Sequence, residues 1–103
     1  MSGAALLLCL VISISDGDTL TACCDTPRGV ENIRVRLAEI DAPEKAQPFG
    51  ARSKQHLAAL CFKKRATLKP QRTDRCQRTV ARVECDGADA SSEQIRAGMA
   101  WVR

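Results

Sequence analysis

Arg34-Val35-Arg36-Leu37-Ala38-Glu39-Ile40-Asp41-Ala42-Pro43-Glu44 is the stretch on which the fold depends. Ile33, Val35 and Leu37 alternate with Arg34, Arg36 and Ala38, the period of two expected of a strand with one buried face. Pro43 has no amide proton and biases Ala42 away from helix, so the strand stops and the chain turns there. Arg36, Asp41 and Glu44 therefore crowd at a strand end, where side chains can converge on a ligand. Glu39 falls by alternation on the apolar face, which requires either a break or bulge in the strand or a place at the rim of the sheet.

Upstream, residues 8–15 form a first expected strand with Leu10, Ile12 and Ile14 on one face, ending in the turn signature Asp16-Gly17-Asp18. Residues 19–24 are β-compatible and complete a hairpin. Asp25-Thr26-Pro27-Arg28-Gly29 turns the chain into the third strand. Ala4 to Ile14 also has the apolar character of an export-signal core, yet no Lys or Arg precedes it and no small-x-small site follows. Residues 1–9 are thus either the remnant of a signal or the start of the first strand, and the domain covers residues 8–103.

Downstream, residues 50–62 are rich in helix formers and carry Leu57, Leu60 and Cys61 on one side. Lys63-Lys64-Arg65 closes that helix at the negative end of its dipole. Residues 66–69 read as a short strand, Pro70 opens a polar loop through Arg78, and residues 79–85 return to strand before Asp86-Gly87. Ser91 and Gln94 fit a capping box, Gly98 ends the helix it starts, and Met99 to Val102 reads as a buried segment. The order is β-β-β-α-β-β-α. Five strands with a helix between the third and fourth predict a mainly β chain with helices (α+β), a small closed barrel of the OB type.

Composition narrows the class. The 103 residues suffice for one domain with a modest core. At 45% hydrophobic and 27% charged, the chain is globular, not disordered or collagen-like. No run of eighteen apolar residues offers a membrane span. A net charge of +4 suits a polyanionic partner. The only aromatic residues are Phe49, Phe62 and Trp101, so affinity for nucleic acid is expected mainly from arginine and lysine meeting phosphate. The six cysteines, Cys9, Cys23, Cys24, Cys61, Cys76 and Cys85, contain no C-x-x-C pair, and His56 is the sole histidine. That argues against zinc and for cysteines that serve mostly as small buried fillers.

Asp18, Asp41 and Glu44 offer hard oxygen ligands suited to Ca²⁺ or Mg²⁺. An EF-hand fails, because position twelve of a loop starting at Asp16 would be Pro27. Asp16 and Asp18 also read simply as turn formers. Arg36 and Arg78 carry planar forks matched to phosphate oxygens, and could equally be solvated surface residues. His56 has no visible triad partners and is given no catalytic role.

Three separated stretches then act together. Ser15-Asp16-Gly17-Asp18-Thr19-Leu20, Val35 to Glu44, and Thr73-Asp74-Arg75-Cys76-Gln77-Arg78-Thr79-Val80-Ala81 resemble, in order, the motifs of the staphylococcal nuclease-like (thermonuclease) family. Pro48 to Lys54 and Ile95 to Val102 resemble its helix segments. The resemblance implies an OB-fold barrel that hydrolyses DNA and RNA phosphodiesters with Ca²⁺, leaves 3′-phosphate ends, works as a monomer on single strands, and is secreted or periplasmic. It implies that Asp18, Asp41 and the backbone carbonyl of Ala42 bind the metal. Glu44 would be the general base, and Arg36 and Arg78 would hold the scissile phosphate. Arg75 and Cys76 fall at substrate-binding positions, Cys76 where the family carries a phosphate-contacting tyrosine.

The departures are specific. Cys76-Gln77 stands where the family has tyrosine and glycine, so Gln77 is strained if that position needs φ > 0. The family continues past Trp101-Val102 into a last helix, which this chain lacks. These departures motivate an alternative: a weakened or inactive barrel that binds nucleic acid or protein without cutting.

Overall fold

The computed structural model describes residues 6–103; of residues 1–9, read as a leader remnant or the start of the first strand, 1–5 lie outside the described residues. Three antiparallel strands open the chain, β1 (Leu7–Asp16), β2 (Thr19–Thr26) and β3 (Gly29–Leu37). A two-residue strand, β4 (Ile40–Asp41), and helix α1 (Gly50–Cys61) follow, then β5 (Arg65–Thr73) and β6 (Thr79–Cys85). The chain ends with β7 (Ala88–Asp89), helix α2 (Ala90–Arg96) and β8 (Trp101–Val102). The main sheet runs β3-β2-β1-β5-β6-β7, and a parallel pairing of β3 with β6 closes five of these strands into a barrel. The expected OB-type barrel is borne out. No helix among the described residues is long and apolar enough to cross a membrane.

Val11, Leu20, Ala22, Val35, Leu37, Leu57, Leu68 and Val83 fill the barrel with essentially no solvent contact. The first strand corrects the sequence reading. Cys9 and Val11 point inward, while Leu8, Leu10 and Ile12 are exposed. Both faces of this strand are apolar, so alternation alone could not say which one faces the core. A register irregularity between Val11 and Ser13 then returns Ile14 to the core.

The third strand breaks after Leu37. Ala38 and Glu39 form a turn, Glu39 adopts φ 69°, and its exposed carboxylate pairs with Arg82. Ile40 and Asp41 then leave the barrel and pair with β8. Glu39 is therefore not on the buried face, and the break frees Asp41 to point back at the barrel end.

Other expectations shift. The strand after α1 continues through Pro70 to Thr73, because a bulge between Pro70 and Arg72 tolerates the missing amide. Asp89, not Ser91, caps α2, accepting from the Ser92 amide at 2.9 Å. Ser91 instead donates to the Ala38 carbonyl, and Gln94 turns inward. Trp101 and Val102 are exposed on the short ribbon they form with β4. Lys64 does serve the end of α1, donating to the Ala59 carbonyl at 3.1 Å.

The cysteines depart most. Cys9 bonds Cys24 across β1 and β2, and Cys61 at the end of α1 bonds Cys85 in β6. Four of the six are thus buried cross-links rather than free fillers; Cys23 and Cys76 remain thiols. Cys9 and Cys24 lie directly opposite in the strand register, a relation that spacing along the chain does not reveal.

Candidate active site

The site sits at the barrel end where the β1–β2 turn, the end of β3 and the start of β6 meet. A buried polar knot fixes the turn. Gln94 donates to the Gly17 carbonyl at 2.7 Å and to the Ser53 carbonyl at 3.1 Å, and accepts a contact from the His56 ring. Ser53 donates to the Met99 carbonyl at 2.7 Å. A Cβ on Gly17 would collide with Ser53 Oγ, so this close approach requires glycine. Gly50 plays the same part beneath the next turn, where a side chain would run into the Glu44 carbonyl. His56 is thus a structural partner of Gln94, and Gln94 is a positioning residue that a capping-box reading hid.

On that base, Asp18 and Asp41 converge on one guanidinium. The strand register sets Thr19 opposite Arg36, which brings Asp18 beside it. Arg36 is only 6% exposed. Its Nη1 donates to the Ile40 carbonyl at 2.8 Å and the Leu37 carbonyl at 3.2 Å and lies 3.4 Å from Asp18 Oδ2, while Nη2 meets Asp41. Asp18 also accepts from the Ala42 amide at 3.0 Å and the Thr19 hydroxyl at 2.9 Å. A buried guanidinium with this many acceptors is oriented, and a buried charge is tolerable only when so paired.

Arg78 arrives from the opposite side. Its Nε donates to Asp74 at 2.9 Å, and its Nη1 reaches the Thr19 hydroxyl at 3.5 Å, the same hydroxyl that donates to Asp18. Asp74 organises the whole turn, accepting also from the Cys76 amide at 2.9 Å and the Arg78 amide at 3.0 Å. Burial pushes the Asp74 carboxyl up, but the Arg78 and Cys76 amides and the Arg78 guanidinium outweigh it and hold the group below its ordinary value. Asp89 behaves alike: burial raises it, while bonds from Ser92 and Arg82 bring it below. A carboxyl depressed in the folded state contributes stability that is complete above the unfolded value, about 3.9, and is lost as pH falls through the folded one. Asp74→Asn is therefore expected to melt below the parent at pH 7, with the gap closing under about pH 4. A gap in melting temperature that widens in acid would contradict this.

Gln77 adopts φ 64° in this turn, so the strained position expected from the sequence is real. Gln77→Gly should raise stability by about 0.5–1 kcal/mol, the roughly 1–2 kcal/mol relief of a left-handed side chain less the entropy glycine loses on folding. A urea midpoint that falls would refute it.

Of the remaining candidates, Glu44 lies in the turn after β4, exposed, its amide bonded to Gln47 at 2.8 Å. Its carboxylate makes no ion pair among the described residues. Arg75 and Cys76 are exposed on the Asp74 turn, where Cys76 contributes its amide rather than its thiol. Ala42 meets Asp18 through its amide. Among the described residues no three His, Cys, Asp or Glu side chains group as a ready metal site. The donor types nonetheless suit a hard divalent cation: Asp18 and Asp41 are oxygen ligands brought to the same guanidinium. Thr19, Asp74 and Gln94 are the site residues that motif reading missed. Only Asp74 left a signal, as the residue four before Arg78.

A closed five-strand barrel with two helices, bearing two aspartates and two arginines at one end, defines an OB-type domain. The chain belongs to the staphylococcal nuclease family: the model described as "Staphylococcal nuclease homologue" matches residues 34–103. It is 50% identical over 94 residues to a Haemophilus influenzae protein named "Uncharacterized endonuclease", covering 91% of this chain and 51% of that one. It is 39% identical over 101 residues to the "Micrococcal nuclease" of Shigella flexneri, covering 89% and 56%. To "Protein ParB" of Escherichia coli it is 37% identical over 101 residues, covering 89% and 55%. The chain spans about half the length of these curated relatives.

Proposed function

We propose that the chain is the barrel of a nuclease that hydrolyses DNA and RNA phosphodiesters with Ca²⁺ and leaves 3′-phosphate ends. The observation that carries this reading is the convergence of Asp18 and Asp41 on the buried Arg36, with Arg78 reaching the same hydroxyl that Asp18 holds. Asp18, Asp41 and the Ala42 carbonyl would hold Ca²⁺, which draws charge from the phosphoryl oxygens when bound. Arg36 and Arg78 present donors where negative charge grows as water adds to phosphorus. Glu44, exposed and without an ion pair among the described residues, takes the proton from that water. The bond from phosphorus to the 5′ oxygen breaks, the departing oxygen gains a proton from solvent, and the phosphate stays on the 3′ side.

Two buried disulfides support an oxidising destination, secreted or periplasmic. The test is digestion of single-stranded DNA and RNA with Ca²⁺ or with chelator, reading the ends formed. Ca²⁺-dependent product with 3′-phosphate is expected. Undiminished cleavage in chelator, or 5′-phosphate ends, would overturn the proposal. The left-handed Gln77 favours the alternative of binding without cutting; salt-sensitive binding with no product would select it.

A further inference from the structure

Arg34 stands on the same strand as Arg36, and no carboxylate holds it. Arg36 is paired with Asp18 and Asp41, and Arg78 with Asp74. Arg34 is exposed, and its side chain makes no hydrogen bond or ion pair among the described residues. We infer that Arg34 is a further substrate contact, which takes the phosphate next to the one that Arg36 and Arg78 hold. That reading rests on the proposed function.

The strand register supplies the position. Across β2 and β3, Thr19 lies opposite Arg36 and Thr21 opposite Arg34. On the other edge of β3, Val35 is level with Thr79 of β6, so Arg78, one residue earlier, starts level with Arg34. Its Nη1 nonetheless reaches the Thr19 hydroxyl at 3.5 Å. The Arg78 side chain therefore crosses the outer face of β3 from one edge to the other, over the strip between Arg34 and Arg36. Val35 between them is fully buried, so both arginines leave the strand on that outer face, about 6.5 Å apart along it.

The chemistry of the strip selects a polyanion. Three guanidiniums gathered there repel one another, and Arg36 and Arg78 have carboxylates that offset this. Arg34 is offset only when an anion arrives from outside. Its planar fork matches phosphate oxygens and keeps its charge at any working pH. A nucleic-acid strand presents one phosphate per nucleotide in a row, so a cation one strand repeat along from the arginine pair meets the next phosphate of that row. The contact is with the backbone and carries no preference for a base.

The experiment measures binding of a labelled short oligothymidylate over a range of salt concentrations, in chelator to prevent cleavage. Each phosphate neutralised on a single strand adds about 0.7 to the slope of log K against log salt. Arg34→Ala should flatten that slope by about 0.7 and weaken binding about 2–5-fold at moderate salt; circular dichroism checks that the variant is folded. Arg34→Lys keeps the charge and should restore the parental slope. Arg65→Ala removes another exposed arginine, opposite Leu10 at the far end of β5, and should leave the slope alone. A parental slope in Arg34→Ala, a lysine variant that behaves like alanine, an equal loss in Arg65→Ala, or no binding by the parent would overturn the inference. Hydrolysis of bis(4-nitrophenyl) phosphate by the parent with Ca²⁺ reads the nuclease proposal separately. Turnover of that diester with a slope indifferent to Arg34 removes the contact and leaves the nuclease; the reverse pattern upholds the contact and removes the nuclease.

Discussion

Arg36→Ala is expected to cut strand cleavage by about 10²–10³-fold in kcat, the usual cost of losing one charge-stabilising donor aimed at a transition state. The reasoning starts from burial. Arg36 holds two carboxylates and two carbonyls from a position with almost no solvent contact. Removing it leaves the buried Asp18 without its ion-pair partner, and breaking a buried pair of this kind costs about 3–5 kcal/mol. Stability and rate should therefore fall together, so the measurement needs a companion that separates them. Arg36→Lys keeps the charge and loses the planar fork. It should fold, melt closer to the parent than alanine does, and still lose at least about tenfold in kcat at saturating single-stranded DNA. A lysine variant that cuts at the parental rate would show that the fork does not matter, and with it the assigned role of Arg36.

The disulfides carry the second large effect. The Cys9–Cys24 bridge closes a span of 15 residues and Cys61–Cys85 one of 24; by loop entropy these stabilise by about 3 and 3.5 kcal/mol. In a domain of this size each kilocalorie shifts the melting temperature by about 4–8 °C, so losing either bridge should lower it by roughly 10–25 °C. The Cys61–Cys85 bridge matters more for the site, because it ties the end of α1 to β6 while the start of α1 supplies Ser53 to the polar knot. Melting with and without reductant, together with Cys85→Ala, measures the effect. Thiol titration of the denatured, unreduced chain should count two groups, Cys23 and Cys76. Six titratable thiols, or a melting point indifferent to reductant, would rule the bridges out.

The two predictions draw on different kinds of information. Arg36, Asp41 and Pro43 announce themselves in one stretch, because a strand that ends at a proline is a local event and its residues are neighbours in sequence. The bridges do not, because Cys9 meets Cys24 through the register of a hairpin and Cys61 meets Cys85 through the packing of a helix on a barrel. Glu39 shows the boundary between the two. Alternation placed it on the apolar face, and the conflict was visible, but its resolution needed Arg82, 43 residues away, to hold its carboxylate in a left-handed turn. Gln94 marks the same boundary: its spacing from Ser91 matched a cap, and the buried carbonyls of Gly17 and Ser53 drew it inward.

What the sequence by itself determined is the order of the long strands and the two helices, the barrel class, and the charged residue types gathered at the end of the third strand. Those follow from hydrophobic period, proline and glycine, which act within a few residues of where they stand. Only the tertiary structure decided which face of β1 is buried, which cysteines pair, that Asp74 organises the Arg78 turn, and that Phe49 and Trp101 line one cleft. Each of these joins residues distant along the chain, and such pairs are set by barrel closure and by the need of every buried polar group for a partner.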